Sequence, residues 1–420
     1  MKTICLSLLV LTGTLIGAGG EPFRTEINPA LLYYQAFLVA PDPLSDADRT
    51  YLESKKGKEQ KLPERFGKIV AGYDNQFVLV RQAAHATVPC DWGIDLSAGP
   101  NTMLPHLGRA KAVCRAAQLR AVWALQHGRQ EDARDELVAA FVLGRNAASD
   151  PILISALVQC AIEAIDYDTV AQQFGEFSPE TLKELVEGFD AAPARRTMAA
   201  CIPSEKRFTE WMSGKVRELQ KEHPGDDAKV MEGFRDSGVV TAMASVGFTN
   251  FWPRLVAASG GTSEGVIKLL RETEPLFPRV AEILALPQAE YEIQAKQFSA
   301  EVLKSPNPFL TTFDLFTGWH FGQERYQFRS RECGVQAQLA MVHAAVEYRL
   351  HGEAGLKGVM DPFGNGPFGF QRFVFKGEDR GFELKSAYAG ADAPFAMIFV
   401  EKEGAAFQVT GPDAGKATAQ

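Results

Sequence analysis

The sequence is poor in cysteine: it has 6, and no two of them are separated by only two or three residues. Common structural zinc sites use those spacings, so the sequence does not predict one. Apart from Cys5 in the N-terminal segment, the thiols are Cys90, Cys114, Cys160, Cys201 and Cys333. This low density excludes a disulfide-rich scaffold, and the odd number leaves at least one thiol free or paired between chains. Cys90 lies in a loop and is the best candidate for an internal disulfide.

An excess of positive charge is also lacking, because 44 Lys and Arg stand against 52 Asp and Glu, a net charge of −8. An acidic surface repels phosphate groups, so nucleic acid is not expected as a partner. One basic cluster combines Arg325, Arg329 and Arg331 with Tyr326 and Phe328. Acidic residues flank this cluster, and we interpret it as the solvated face of a helix.

A long hydrophobic run occurs at the N-terminus alone. Lys2 precedes the apolar residues 4–16, and small residues follow at 17–20. This order is typical of a secretory signal peptide. The run is shorter than the ~20 residues that a membrane-spanning helix needs. We therefore expect a signal peptide over 1–20 and an exported protein, periplasmic or extracellular, with no transmembrane segment after the signal is removed. A retained N-terminal anchor is the alternative.

Alternating strand and helix patterns are missing up to about residue 250, and apolar residues recur there at helical spacing. The most regular stripe consists of Leu107, Ala110, Cys114, Ala117, Ala121 and Ala124. Its small side chains allow close packing, so we predict an inner helix that ends at Gly128. Helices over 131–148 and 152–174 follow. These hairpins loosely resemble tetratricopeptide repeats, although no second copy appears at that family's period of about 34 residues.

The predicted fold is mainly α, with packed helical hairpins and a small C-terminal antiparallel β-sheet. The predicted parts are a helical-hairpin domain over 21–258, a second helical lobe over 262–351, a β-meander over 352–411 and a disordered tail over 412–420. Gly260 and Gly261 are interpreted as the joint between the helical parts. One helix is expected over 64–85. Pro278 and Pro287 are expected to kink or break the helical stretch 274–304.

A polar stripe runs along the otherwise apolar helix 152–174. It consists of Ser155, Gln159, Glu163 and Asp166. In one interpretation, these side chains face water or are buried and paired with Arg115, Arg120 or Arg145, because a buried carboxylate without a partner is costly. In the other, the stripe lines a groove that binds a peptide or another polar ligand.

Two patterns raise a hydrolase as an alternative. Residues 261–265 match Gly-x-Ser-x-Gly with Ser263 as the nucleophile, but that pattern needs a parallel sheet, and a helix cap explains the same residues. On one predicted helix, three possible metal ligands follow one another at intervals of four residues: His343, Glu347 and His351. Either site needs a further partner, such as His320 or Asp361. The Gly-x-Gly-x-x-Gly match at 364–369 precedes strands rather than a helix, so no cofactor is predicted.

A turn sequence follows the last long predicted helix. It reads Asp361-Pro362-Phe363-Gly364-Asn365 and is followed by Phe382, Leu384 and Ser386 and then by Gly390-Ala391-Asp392. With these residues, the stretch from Val342 to Asp392 resembles the C-terminal part of a type II secretion pseudopilin. The resemblance implies a shared β-meander rather than a shared role. In that family, an acidic loop near the C-terminal end can bind calcium, and the resemblance implies that Asp392 is the matching carboxylate ligand.

Segments 28–37, 90–92 and 104–170 resemble an uncharacterised family of exported bacterial α-helical proteins. This resemblance implies a helical fold and export, and no activity. Our first hypothesis is therefore an exported, non-catalytic helical scaffold that binds a protein or peptide along a groove within 104–174. The alternatives are the hydrolase described above and a structural envelope or secretion-associated component that assembles through its C-terminal sheet.

Overall fold

The computed structural model describes residues 25–54, 61–245, 247–317, 328–389, 394–402, 409–411 and 414–415. Of the described residues, 67% are helical, and a small four-stranded antiparallel sheet lies near the C-terminal end of the described ranges. The predicted fold class, mainly α with a small C-terminal antiparallel sheet, is confirmed. None of the described helices is long and apolar enough to cross a membrane.

The helices are numbered here in chain order. They are α1 (Pro29–Leu38), α2 (Asp46–Glu53), α3 (Arg65–Gly72), α4 (Asp74–Ala84), α5 (Pro105–Gln126), α6 (Gln130–Ala147), α7 (Leu153–Gln172), α8 (Pro179–Asp190), α9 (Met198–Glu222), α10 (Asp227–Phe234), α11 (Val240–Ser245), α12 (Phe251–Ser259), α13 (Ser263–Arg271), α14 (Leu276–Ala285), α15 (Gln288–Val302), α16 (Pro308–Thr312), α17 (Asp314–Thr317), α18 (Phe328–His351) and α19 (Glu353–Gly358). Single 3₁₀ turns occur at Leu96–Asn101 and Phe174–Glu176, and a π turn occurs at Arg235–Val239.

Helices α5, α6 and α7 pack against one another in the middle of the helical region. All six residues of the predicted stripe on α5 are at most 5% exposed, which confirms α5 as an inner helix. Gly128 has a φ of 72° and lies just beyond the end of α5, as predicted. Helix α6 approaches α7 closely at Gly144, where a Cβ atom would lie 2.7 Å from Cγ2 of Ile162. The close packing of these two helices therefore requires glycine at this position.

The sheet is the predicted meander. Its strands are β1 (Gly369–Phe375), β2 (Glu378–Ala389), β3 (Pro394–Val400) and β4 (Thr410–Gly411), and each pairs antiparallel with the next. Phe382 and Phe399 face Phe174, with ring centroids 5.6 and 5.2 Å from that of Phe174. Thr410 Oγ1 donates a hydrogen bond of 2.8 Å to Asp168 of α7. The sheet therefore shares its core with the helices and ties its last strand to α7.

The predicted joint between two helical parts lies inside one packed unit. Gly260 and Gly261 have positive φ angles and form the turn between α12 and α13. Leu255 of α12 and Leu270 of α13 are both fully buried in the same hydrophobic cluster. Of the predicted tail, Ala414 and Gly415 form a turn, and Ala414 packs against the core. The rest of that tail and the predicted signal peptide lie outside the described residues.

Two predictions of helix boundaries were wrong. The helix expected over 64–85 is divided at Tyr73 into α3 and α4. Pro278 does not break a helix, because it is the third residue of α14, and a first-turn amide has no partner within its own helix. Pro287 does separate α14 from α15, as expected.

All five cysteines of the described chain are free thiols, including Cys90, the best candidate for a disulfide. Cys114, Cys160, Cys201 and Cys333 are buried, and Cys90 is partly buried. Burial raises the pKa of the Cys90 thiol to about 12. At neutral pH this group is therefore a protonated and weakly reactive thiol.

Candidate functional site

The polar stripe of α7 lies in the interior of the protein. Ser155, Gln159, Glu163 and Asp166 are each 0% exposed. A ligand in an open groove would therefore not touch these side chains.

Glu163 is the charged residue of this stripe, and it is held by two arginines. Its Oε1 lies 2.7 Å from Nε of Arg145, and its Oε2 accepts a hydrogen bond of 2.5 Å from Nη2 of Arg195. The pairing with Arg145 was one of the three predicted from the sequence, and it is confirmed. Arg120 pairs elsewhere, and Arg115 is exposed.

Gln159 and Asp166 contact neighbouring parts of the chain, the loop before α9 and helix α5. Gln159 Oε1 accepts a hydrogen bond of 3.1 Å from the backbone N–H of Arg196. The Cys114 thiol lies 3.7 Å from Oδ1 of Asp166. Burial raises the pKa of Asp166 well above its usual range. The stripe thus holds the loop before α9 and the neighbouring helix α5 in place.

An open groove of about 1530 Å³ follows α6, and we call it the α6 groove. One side is formed by α3, α4, the segment 85–90 and α5, and the other by α8 and the loop 191–196. Ala139 and Val142 add apolar surface from α6 itself. The groove overlaps the predicted region 104–174, but α6 lines it instead of the polar stripe of α7.

Charges of both signs line the α6 groove. The six arginines are Arg81, Arg120, Arg129, Arg134, Arg145 and Arg196. The five carboxylates are Asp74, Asp132, Asp135, Glu136 and Glu184. Because the two signs are nearly balanced and lie side by side, the groove favours a ligand that itself carries mixed polar groups over a polyanion or a polycation.

At one end of the groove, Glu136 joins two arginines. Its Oε1 lies 2.9 Å from Nη1 of Arg81 and 2.8 Å from Nη2 of Arg120. Arg120 also pairs with Asp74 at 2.8 Å and lies over the ring of Phe77, 4.7 Å from its centroid. Two charged bonds and a ring contact fix this guanidinium in one position.

The second carboxylate oxygen of Glu136 is buried and makes no hydrogen bond within the part of the chain that the structure describes. Burial raises the pKa of Glu136, while Arg120 opposes that shift. Because this oxygen is buried in the wall, it is closed to a ligand in the groove and adds negative charge to that wall.

Two further arginines of the groove, Arg134 and Arg196, make contacts of different kinds. Arg134 pairs with Asp135 and with Glu184 of α8. Arg196 donates to the backbone oxygens of Ala148 and Ser149, at 3.3 and 3.1 Å. Within the described ranges, Arg196 therefore makes its hydrogen bonds to neutral groups. It is held in place and keeps its charge for a ligand.

Ser263 begins α13 and lies in a capping arrangement. Its Oγ donates a hydrogen bond of 2.6 Å to Asp227 and accepts one of 2.9 Å from Gln220. The side chain of Thr262 accepts a hydrogen bond from the backbone N–H of Gly265, as a helix cap does. The structure therefore joins Ser263 to an acid and an amide, neither of which is the histidine base that a serine hydrolase uses.

Of the three residues of the candidate metal site, only Glu347 and His351 come together, whereas His343 pairs with Asp190 of α8. His343 Nε2 lies 3.1 Å from Asp190, and His351 Nε2 lies 3.7 Å from Glu347. The described residues contain no group of three or more His, Cys, Asp or Glu side chains arranged to hold a metal ion. His343 and Glu347 instead line a second cavity, between α18 and α19.

The remaining candidates serve the sheet or lie outside the described ranges. Asp361 accepts hydrogen bonds from Ser386 Oγ at 2.9 Å and from the backbone N–H of Ala387 at 2.5 Å, which fixes the predicted turn to β2. Asp392 and His320 lie outside the described residues, as do Arg325 and Tyr326 of the basic cluster. Arg329 of that cluster pairs with the buried Glu332 at 3.2 Å.

Sequence reasoning missed the groove residues Arg81 and Glu136. They lie 55 positions apart on different helices, and neither stands in a recognisable motif. Glu136 itself gave a weak signal, because it lies next to the apolar side of the predicted helix 131–148, and a buried carboxylate needs a cationic partner.

No protein-family model matches the chain, and no curated protein and no solved structure is significantly similar to it. The two resemblances drawn from the sequence therefore stay predictions.

Proposed function

We propose that the protein is an exported, non-catalytic binding protein that holds an extended peptide, free or as part of a partner protein, in the α6 groove. The observation that carries this proposal is the groove, with its alternating guanidinium and carboxylate groups. Export rests on the N-terminal sequence pattern alone.

The size of the groove supports an extended ligand. Sites for small molecules commonly enclose about 300–1,000 Å³, and the α6 groove has about 1530 Å³. It is also bounded by five helices (α3, α4, α5, α6 and α8) and by the segments 85–90 and 191–196, which come from distant parts of the chain. A single small molecule would leave most of this wall without contacts.

The chemistry of the walls supports a polypeptide. A peptide presents N–H donors and carbonyl acceptors at short intervals, and its side chains add charges of either sign. Exposed carboxylates of the wall, such as Asp74 and Asp132, suit N–H donors. Arg196 suits a carboxylate or a carbonyl oxygen, because guanidinium groups bind planar oxygen acceptors well.

The test is selection of a phage-displayed library of random peptides against the full chain, followed by affinity measurement by fluorescence anisotropy. Two variants change the groove: Arg134→Glu reverses a wall charge, and Ala191→Trp fills space at the end of α8. We expect each to weaken the selected peptides about tenfold or more.

Matched controls carry the same substitutions outside the groove. Arg217→Glu lies on the exposed side of α9, and Ala112→Trp lies on the exposed side of α5. Both are expected to keep the parental affinity. Failure to select any peptide, or equal binding by groove and control variants, would contradict the proposal.

A further inference from the structure

A second cavity, of about 760 Å³, lies between α18 and α19, and we call it the α18–α19 pocket. One face of α18 forms its long wall, with Gln336, Leu339, Ala340, His343 and Glu347 at helical spacing and all partly exposed. This volume falls within the range of about 300–1,000 Å³ that small-molecule sites occupy. The pocket is distinct from the α6 groove, since the two share no lining residue.

Glycine allows α19 to close the pocket. At Gly355, a Cβ atom would lie 2.2 Å from the backbone oxygen of Glu347, so only glycine permits this approach of α19 to α18. Gly358, one turn further along, has open space where its Cβ would be. The first glycine therefore brings the helices together, and the second leaves room between them.

The pocket has one apolar wall. Leu339 and Ala340 contribute from α18, and Val359, Met360 and Pro362 contribute from the segment after α19. Met360 is 55% exposed, an unusual exposure for so large an apolar side chain. A hydrocarbon chain of a ligand would cover this surface and gain the free energy of removing it from water.

The opposite wall carries a cation, Arg195. Its side chain is only 11% exposed, and its bonds to Glu163 use Nε and Nη2. Nη1 makes no hydrogen bond to any residue that the structure describes, so its two hydrogens are free for a ligand. Arg145 shares the same carboxylate, so the ion pairs around Glu163 compensate only one of the two guanidinium charges.

We propose that the α18–α19 pocket binds a single-chain amphiphile with a carboxylate head, such as a fatty acid. The carboxylate accepts hydrogen bonds from Nη1 of Arg195 and supplies the second negative charge that the Arg145–Glu163–Arg195 group lacks. The acyl chain lies along Leu339, Val359 and Met360. This inference is independent of peptide binding in the α6 groove.

Other charged groups around the pocket are already engaged with each other. His343 pairs with Asp190, and Glu347 lies near His351. Glu332, which lies near Arg195, pairs with Arg329 at 3.2 Å. The carboxylate head therefore belongs at Arg195, away from Glu347, and a cationic head is disfavoured there.

The probe is decanoate, used below its micellar concentration and titrated calorimetrically into the full chain. We expect saturable binding to one site. Decyltrimethylammonium has a similar chain and the opposite head charge, and we expect its affinity to be at least about tenfold lower, because the charged bond to Arg195 contributes on that order.

Two variants test the assigned residues. Gly358→Phe places a large side chain in the open space of the pocket. Arg195→Lys keeps a positive charge beside Glu163 but removes Nη1, the donor assigned to the ligand. Both are expected to weaken decanoate binding about tenfold or more. Gly214→Phe is the matched control for the first, since Gly214 is an exposed helical glycine that also has open space around it.

Unchanged unfolding temperatures would show that the variants are folded, and thermal melts therefore accompany each titration. The proposal is overturned if decanoate shows no saturable binding, if the cationic probe binds equally well, or if Gly358→Phe binds decanoate as the Gly214→Phe control does.

Discussion

Glu163 is 0% exposed, and Arg195 holds it through two donated hydrogen bonds, of 2.5 Å from Nη2 and 3.4 Å from Nε. The acid lies in the middle of α7, and the arginine lies in the loop between α8 and α9. Arg145 of α6 completes the group at 2.7 Å. One carboxylate thus joins two helices and a loop. It also links the two cavities, because Arg145 lines the α6 groove and Arg195 lines the α18–α19 pocket.

Replacement of Glu163 by alanine is expected to destabilise the protein by about 3–5 kcal/mol. The reason is that Arg145 and Arg195, with side chains 8% and 11% exposed, would keep buried charges without a carboxylate. Urea denaturation followed by circular dichroism measures the change. The control is Glu187→Ala on the exposed side of α8, for which about 0.5 kcal/mol or less is expected. A loss below 1 kcal/mol for Glu163→Ala would show that the group is not a buried ion-pair network in solution.

Asp168 is expected to make stability depend on pH. Burial raises its pKa from the model-peptide value of 3.8 to about 6, against the hydrogen bonds from Thr410 and Gln338, which lower it. Because the folded state binds the proton more tightly, the contribution of Asp168 is fully present below pH 4 and is lost as the pH rises to about 6. The free energy of unfolding is therefore expected to fall by about 3 kcal/mol between pH 4 and pH values above 6.

Asp168→Asn removes this titration and keeps an oxygen that accepts from Thr410 and Gln338. We expect the variant to lose the downward slope of unfolding free energy between pH 4 and 6, and to be at least as stable as the parent at pH 7. Asp46→Asn, at a 98% exposed side chain, should leave the slope unchanged. If the slope persisted in Asp168→Asn, another group would be responsible.

Two glycines in helices are expected to respond oppositely to alanine. Gly144→Ala places a Cβ 2.7 Å from Ile162, and overpacking of this kind costs about 1–3 kcal/mol. Gly214→Ala has open space and should stabilise α9 by about 0.5–1 kcal/mol, because alanine favours the helix. Thermal unfolding of both variants checks the pair. Equal signs would mean that α6 and α7 are not packed as closely as Gly144 indicates.

The Cys90 thiol is expected to be poorly reactive in the folded protein. Its raised pKa of about 12 leaves almost no thiolate at pH 8, and the other four described cysteines are buried. Ellman's reagent should therefore label the native chain slowly and the unfolded chain fully. With Cys5 replaced by serine in all samples, a fast native phase that disappears in Cys90→Ser would contradict this expectation.

Periodicity in the sequence predicted the parts of the fold that local patterns control. The stripe from Leu107 to Ala124 identified α5 as an inner helix because small residues at steps of three and four leave a helix one buried face. The glycine-rich stretch and the phenylalanines after it predicted the meander. The division between α3 and α4 follows Gly72, a poor helix former. A single glycine inside an apolar helical pattern is too weak a signal to predict a break.

The candidate site was harder to predict because its residues come together only in three dimensions. A carboxylate on α7 indicated a cationic partner, and Arg145 was among those expected, but Arg195 stands in a loop with no motif. The groove likewise depends on Arg81 and Glu136, which tertiary packing brings together. Conversely, His343, Glu347 and His351 share a helix at regular spacing, yet only Glu347 and His351 contact each other, and His343 pairs with Asp190 of another helix.

The hydrogen bond between Thr410 and Asp168 spans 242 positions of the chain. During translation, α7 leaves the ribosome long before β4 is made, so the nascent helices hold an acid whose hydroxyl donor does not yet exist. Gln338 of α18 is the second donor to Asp168, at 3.1 Å. Until α18 and β4 have both packed against α7, Asp168 can satisfy its oxygen only with water, which keeps this part of the helical layer hydrated. Water is therefore displaced from Asp168 late in biosynthesis, once β4 has been made and has packed against α7.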